Sequence, residues 1–235
     1  MIGVSLEGAI ERLKKNDNRT LEDRAKRLAE LGTYTISLVN RPVANLMNEY
    51  LEEASSSYVY GNFRSCIFSC SAVIDQIFRH EIIQNSNDYK GKRKEIDKLG
   101  FGQVIGKARK EKIQSLDAIL CDAGWVNDAR NRVAVHPICV TAETLDDELA
   151  NELKVEYINN ILEIADEQTK EKILSISVKP PHEKRITLQE VLENPYSERA
   201  SELLMWDPHN EIIEPIALEA YKRTVRILLH LFPAE

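Results

Sequence analysis

Apolar residues recur at three- and four-residue intervals along most of the chain, and this spacing predicts amphipathic helices. The most apolar segment covers residues 63–83 and follows Gly61 and Asn62, two residues that favour a turn. Serine and alanine separate its bulky residues and let neighbouring helices approach closely. The apolar stripe of this segment consists of Ile67, Cys70, Ile74, Ile77 and Phe78. The pattern therefore predicts a central, buried helix.

Further helices are predicted before and after this segment. A capping-box variant at residues 20–23 predicts the start of a first helix, with an apolar stripe after it, and Pro42 fits the first turn of a second. A short helix is expected over residues 101–112 and another over residues 115–135. The pair His136-Pro137 ends the latter, because a residue before proline avoids the helical region.

The rest of the chain is also predicted to be helical, apart from its connections. Residues 85–100 are polar and lysine-rich and are predicted to form a loop, whereas residues 144–175 are predicted to form one long amphipathic helix. After the break at Pro180-Pro181, a capping-box pattern at residues 187–190 predicts a short helix, and a last amphipathic helix carries Ile216 and Leu228. No strand-like alternation persists, so the expected fold class is all-α.

Composition agrees with a folded helical protein. The chain has 235 residues, 43% hydrophobic and 29% charged, with only 9 glycines and 8 prolines. No apolar run is long enough to cross a membrane and the first 15 residues lack an apolar signal core, so a cytoplasmic location is expected. The four cysteines lack the spacing of a zinc site and are expected to be buried thiols: Cys66, Cys70, Cys121 and Cys139.

Charge is unevenly distributed along the chain, whose net charge is −7. Residues 89–112 contain nine Lys or Arg and three acids, whereas residues 141–171 contain ten acids and two lysines. The basic segment can guide a phosphate backbone, with Lys107, Arg109 and Lys110 as the candidate nucleic-acid contacts. The alternative is a solvated loop and helix face.

The residues with the most catalytic promise are Arg130 and His136. An arginine is a permanent cation that suits a phosphate, and a histidine exchanges protons near neutral pH. Together they meet the needs of RNA cleavage by its own 2′-hydroxyl. Six residues correspond to about 240° of rotation on an ideal helix, so the two would not share a face. Arg132 would share a face with His136, and Pro137 loosens the helical geometry. The alternative is a structurally satisfied histidine that caps the helix.

Other candidate residues carry weaker signals. Asp75 lies in the apolar segment and needs a partner if it is buried, for which Arg130 is a candidate. Trp125 can stack on a base or pack in the core. His80 follows Arg79 at a helix end and is expected to be a surface or capping residue. The scattered histidines show no ligand spacing, and no phosphate-binding loop or dinucleotide fingerprint is present. These are His182, His209 and His230.

The chain resembles the HEPN superfamily over roughly residues 40–170. The family motif is an arginine, four to six residues and a histidine, often with asparagine directly after the arginine; Arg130, Asn131 and His136 fit it. Residues 60–79 resemble the core helix that precedes the motif in this family, including an acid at Asp75. The corresponding division is an N-terminal extension at 1–39, a HEPN-like bundle at 40–177 and a C-terminal extension at 178–235.

This resemblance implies an up-and-down bundle of about four or five helices with additional terminal helices. It also implies a homodimer and a metal-independent endoribonuclease that needs no cofactor and leaves a 2′,3′-cyclic phosphate. His136 would be the base or proton shuttle and Arg130 the phosphate clamp. Asn131 would orient the site, Asp75 would hold Arg130, and Arg132 is an alternative clamp.

Two other functions stay open. Some HEPN domains are not catalytic and bind RNA, bind another protein or dimerise, and the terminal extensions of this chain would then be partner surfaces. The third possibility is the toxin of a toxin–antitoxin pair.

Overall fold

Ten helices account for most of the structure, a computed structural model that describes residues 6–32, 44–135, 147–178, 186–194 and 209–232. The α-helices are α1 (Leu6–Leu31), α2 (Ala44–Val59), α3 (Phe63–Gln84), α4 (Tyr89–Ile96), α5 (Phe101–Glu111), α6 (Leu120–Ala129), α7 (Asp147–Ile164), α8 (Glu167–Leu174), α9 (Leu188–Glu193) and α10 (His209–Leu231). Two short strands, β1 (Ser177–Val178) and β2 (Ile186–Thr187), pair antiparallel. The predicted all-α class is confirmed, and none of the described helices is long and apolar enough to span a membrane.

Helix α3 lies at the centre of the bundle, as its apolar pattern predicts. The consecutive residues Ser69, Cys70 and Ser71 are all buried, and three successive positions cover about 200° of a helix. Helices α2, α5, α6 and α10 pack around it. Small residues allow a close approach: the Cys66 thiol donates to the carbonyl of Ala217 on α10, with an S···O distance of 3.8 Å. The central helix is therefore enclosed on most sides.

The last helix, α10, belongs to the same core as the central helices. Its buried residues include Ile216, Ala220 and Leu228, which join one continuous apolar cluster. Its Glu214 accepts a hydrogen bond from Nε of Arg27 on α1 at 2.7 Å, so the two ends of the described chain are linked. The three-part division at 39/40 and 177/178 stays a prediction.

The predicted turn before α3 is present. Gly61 has a φ of +78°, a backbone conformation that L side chains rarely adopt. A Cβ at this position would also lie 3.3 Å from Nη1 of Arg27. Glycine therefore suits this turn for both its conformation and its size.

The predicted loop at residues 85–100 is wrong, because the structure places α4 within it. Asp88 begins this helix by accepting a hydrogen bond from the backbone N–H of Gly91 at 3.0 Å. At its other end the Arg79 guanidinium donates to the carbonyl oxygens of Ile96 and Leu99 at 2.5 and 2.6 Å. A distant arginine thus satisfies carbonyl groups at and after the C-terminal end of this helix.

Two predicted helix boundaries also need correction. Helix α1 begins at Leu6 and passes through Thr20, whose hydroxyl donates to the carbonyl of Asn16 at 3.1 Å instead of capping a helix. The predicted helix over residues 144–175 is two helices, because Asp166 caps α8 by accepting from the N–H of Thr169 at 2.7 Å. That backbone hydrogen bond lowers the pKa of Asp166. Pro42 lies outside the described residues.

The other predicted helices are found. Helix α5 matches the predicted segment 101–112. Thr187 and Glu190 form the predicted capping box at the start of α9, with Thr187 N donating to Glu190 Oε2 at 2.7 Å. The segment 115–135 is helical but changes its hydrogen-bond pattern twice, from a 3₁₀ segment (Gln114–Ile119) to α6 and then to a π-helical segment (Arg130–Val135).

The cysteines agree only in part with the expected burial. Cys66 and Cys70 are buried in α3, whereas Cys121 is exposed on α6, so the expectation is wrong for Cys121. Cys139 lies outside the described residues. The pKa of the Cys66 thiol is raised well above its usual value by a hydrogen bond with Cys70 and by burial. The two core thiols are therefore packing groups.

We expect Arg79→Gln to lower the free energy of unfolding by about 3 kcal/mol, because it leaves a half-buried carboxylate and two carbonyls without their cation. Urea denaturation measures this change. The matched control is Arg93→Gln on α4, whose ion pair with Asp97 at 3.7 Å is exposed and should contribute less than about 0.5 kcal/mol. Equal effects of the two substitutions would contradict the role of Arg79 in holding α4.

Candidate functional site

Arg130 lines an open cavity of about 480 Å³ at the surface of the bundle. It is the first residue of the π-helical segment, directly after Ala129 at the buried end of α6. A π-turn inserts one residue into the helical pattern and redirects the side chains after it, and such segments are frequent at functional sites. The buried Val133 and Ala134 hold the inner side of this segment against the core.

The guanidinium of Arg130 is only partly engaged. Its Nη1 donates to Oδ1 of the adjacent Asn131 at 3.3 Å, and its Cζ lies 5.9 Å from the centre of the Phe68 ring. In the described part of the chain no carboxylate pairs with it. Arg130 therefore has hydrogen-bond donors left for a ligand in the cavity.

Arg132 is placed differently, although it is only two residues away. Its Nη1 donates to Glu163 on α7 at 2.6 Å, and this ion pair is exposed. Arg132 does not line the cavity that Arg130 lines. Of the two candidate clamps, Arg130 is thus the one with an uncommitted charge beside a cavity.

Asp75 lines the same cavity, but the expected Asp75–Arg130 pair is not formed. Its Oδ2 accepts from Nε of Arg79 at 2.9 Å, since both lie one turn apart on α3. Its Oδ1 is buried and has no hydrogen-bond partner among the described residues. Arg79 also donates to the carbonyl oxygens of Ile96 and Leu99. The Asp75–Arg79 pair therefore stabilises the cavity wall and does not hold Arg130 in place.

His136, the proposed proton shuttle, lies outside the described residues, as does Pro137. Of the seven-residue motif the structure therefore describes Arg130 to Val135. Asn131 is half-buried and its Oδ1 accepts from Arg130, while its orienting role stays a prediction.

The candidate nucleic-acid contacts on α5 are not equivalent. Lys107 forms ion pairs with Glu95 and with Glu111, the latter at 3.0 Å, and these hydrogen bonds raise its pKa. Arg109 and Lys110 are exposed and have no ion pair within the described ranges. Of these three candidates, Arg109 and Lys110 are therefore the ones that offer unpaired positive charge to a phosphate backbone.

Trp125 packs in the core and is not free to stack on a base. Its Nε1 donates to the carbonyl of Ile164 at 2.5 Å, and the Arg223 guanidinium covers its ring with Cζ 4.5 Å from the ring centre. His80 is half-buried and His230 exposed, and the part of the chain that the structure describes contains no group of three or more possible metal ligands. His182 lies outside that part, and so does the side chain of His209.

Phe68 and Glu53 line the cavity and were not predicted as site residues. Phe68 does carry a signal in the sequence, because it is an aromatic residue that stands beside the apolar stripe of α3 and not on it. Glu53 has no such signal, since one acid among several on α2 is indistinguishable by pattern.

Comparison with known proteins gives no relative: no protein-family model, no curated protein and no solved structure matches this chain.

Proposed function

We propose that this chain is a metal-independent endoribonuclease of the HEPN type. The observation that carries the proposal is Arg130, a permanent cation that lines a cavity without a carboxylate partner among the described residues. An arginine that already pairs with an acid, as Arg132 does, has less charge and fewer donors to offer a phosphate. The resemblance of the sequence motif supplies the second group, His136, six residues later.

In the proposed reaction the 2′-oxygen of RNA attacks the adjacent phosphorus and the bond from phosphorus to the 5′-oxygen breaks. His136 accepts the proton of the 2′-hydroxyl, and a proton is returned to the leaving 5′-oxygen. Arg130 stabilises the additional negative charge on the phosphate oxygens, with Asn131 orienting its guanidinium through their hydrogen bond. The products are a 2′,3′-cyclic phosphate and a 5′-hydroxyl.

We expect Arg130→Ala to lower the rate of RNA cleavage by about 10²–10³-fold, the usual cost of losing one preorganised group that stabilises transition-state charge. His136→Ala should cost about 10²–10⁴-fold, the contribution of a general base. Cleavage of a labelled RNA in the presence of EDTA, with analysis of the product ends, measures both.

Arg132→Ala is the matched control for Arg130→Ala. It removes an arginine from the same segment, but one whose exposed pair with Glu163 contributes at most about 1 kcal/mol, so cleavage should change little. Loss of cleavage on adding EDTA, or a larger loss in Arg132→Ala than in Arg130→Ala, would contradict the mechanism. If the wild-type protein binds RNA but does not cleave it, the result would support the alternative of a non-catalytic HEPN domain.

Arg109 and Lys110 are proposed to contact the RNA backbone. We expect the double substitution Arg109→Gln, Lys110→Gln in the His136→Ala background to weaken RNA binding at low salt. It should also reduce the slope of log affinity against log salt by about 1.4, since each single-strand phosphate contact contributes about 0.7. Fluorescence anisotropy over a salt series measures both quantities.

Lys107→Gln is the control for the basic surface. Glu95 and Glu111 already neutralise Lys107, so its removal should leave the salt slope unchanged. The proposed contacts are wrong if Lys107→Gln reduces the slope as much as the double substitution does.

We further propose that the enzyme is a homodimer whose two copies of Arg130 and His136 share one cleft, as the HEPN resemblance implies. Light scattering coupled to gel filtration should give twice the 26.8 kDa mass of one chain. Mixing an excess of His136→Ala protein with wild type should then lower the activity per wild-type chain. A monomer with full cleavage activity would refute the shared cleft.

A further inference from the structure

Phe68 is the first sign of a ligand-binding surface beside Arg130. It is 40% exposed, although it belongs to α3, the most enclosed helix of the bundle. The burial of a phenylalanine ring is favourable, so an aromatic ring left open beside a cavity is suited to stack on a planar ligand. The Arg130 guanidinium lies near the same ring and offers a second planar, cationic surface.

The cavity beside Phe68 has the volume of a small-ligand site. Its volume of about 480 Å³ falls within the usual range for such sites, and Tyr50 and Phe101 add aromatic surface. Single-stranded RNA is recognised in this manner, by bases that unstack from the strand and stack on aromatic rings and arginine planes. A nucleobase is therefore a ligand that fits both the shape and the stacking surfaces.

Glu53 gives the cavity a group that can distinguish between bases. Glu53 is an exposed residue of α2 that lines the cavity and has no hydrogen bond or ion pair among the described residues, whereas Asp75 binds Arg79 through Oδ2 and keeps only its buried Oδ1 without a partner. An ionised carboxylate only accepts hydrogen bonds. Guanine presents two adjacent donors on its Watson–Crick edge, the N1–H and the N2 amino group, and can thus pair with both carboxylate oxygens. Adenine, cytosine and uracil each present a donor next to an acceptor on this edge.

We propose that the cavity is a guanine-binding subsite, in which Phe68 stacks on the base and Glu53 accepts hydrogen bonds from its N1–H and N2 amino group. A base in the cavity brings its own phosphate towards Arg130, which lines the same cavity. The role of the subsite in cleavage rests on the proposed function, but base binding itself does not. The subsite would make cleavage specific for a guanosine next to the scissile phosphate.

Isothermal titration of the full wild-type chain with 3′-GMP, 3′-AMP, 3′-CMP and 3′-UMP tests the subsite. None of these mononucleotides contains a phosphodiester that the proposed reaction can cleave. We expect 3′-GMP to bind at least about tenfold more tightly than the others, the discrimination of about 1.4 kcal/mol that one bidentate pair supplies. Equal affinity for the four nucleotides, or binding of none, would overturn the proposal.

Two substitutions with matched controls test the assigned residues. Glu53→Gln should remove the preference for 3′-GMP, whereas Glu52→Gln, at the neighbouring exposed position outside the cavity, should retain it. Phe68→Leu should lower the affinity for all four nucleotides by at least about fivefold, which is the lower end of the effect of losing one stacking ring. Tyr89→Leu removes an exposed ring that does not line the cavity, so it should leave the four affinities unchanged. An unchanged guanine preference in Glu53→Gln would overturn the assignment.

The two proposals can fail separately. If the protein cleaves RNA at all four bases but does not bind 3′-GMP, the guanine subsite is overturned and the proposed ribonuclease activity is retained. Selective binding of 3′-GMP by a chain that cleaves no RNA would support the subsite and overturn the ribonuclease.

Discussion

The enclosure of helix α3 is the constraint on which the rest of the structure depends. Its buried residues occupy most of its circumference, so α2, α5, α6 and α10 must cover it from several sides. Any polar group on such a helix must find a partner or reach solvent. Asp75 binds Arg79 through Oδ2, although its buried Oδ1 has no hydrogen-bond partner among the described residues, and Phe68 stays partly exposed. The candidate site lies where the neighbouring helices leave α3 uncovered.

The Asp75–Arg79 pair also explains why sequence patterns describe some elements well and others poorly. Helices α3 and α5 and the Thr187 capping box are encoded by residues close together in the chain, and these predictions are confirmed. Helix α4 has a local cap at Asp88, but its other end is held by an arginine of α3 and its Lys92 pairs with Glu111 on α5. No local pattern contains such contacts.

The candidate site shows the same division between local and distant information. The spacing of the motif selects Arg130, whereas an ideal helix places Arg132 in better register with His136, so the sequence leaves both as candidate clamps. The structure separates them through a distant residue, Glu163, which engages Arg132 and leaves Arg130 beside the cavity. The expected Asp75–Arg130 pair is wrong for the opposite reason: Arg79, one turn away on the same helix, is a local partner of Asp75.

The charges of the cavity indicate what kind of ligand it can hold. Two acids and two arginines line it, and Asp75 and Arg79 largely neutralise each other. The charges that remain are the anionic Glu53 and the cationic Arg130.

A bare phosphate would gain the attraction of Arg130 but meet the repulsion of Glu53, which weakens its binding. A ligand that carries hydrogen-bond donors at one end and an anion at the other satisfies both groups. A nucleotide has this arrangement, since its base can donate while its phosphate accepts. In the proposed subsite the same two residues would thus disfavour inorganic phosphate and favour a nucleotide unit of an RNA strand.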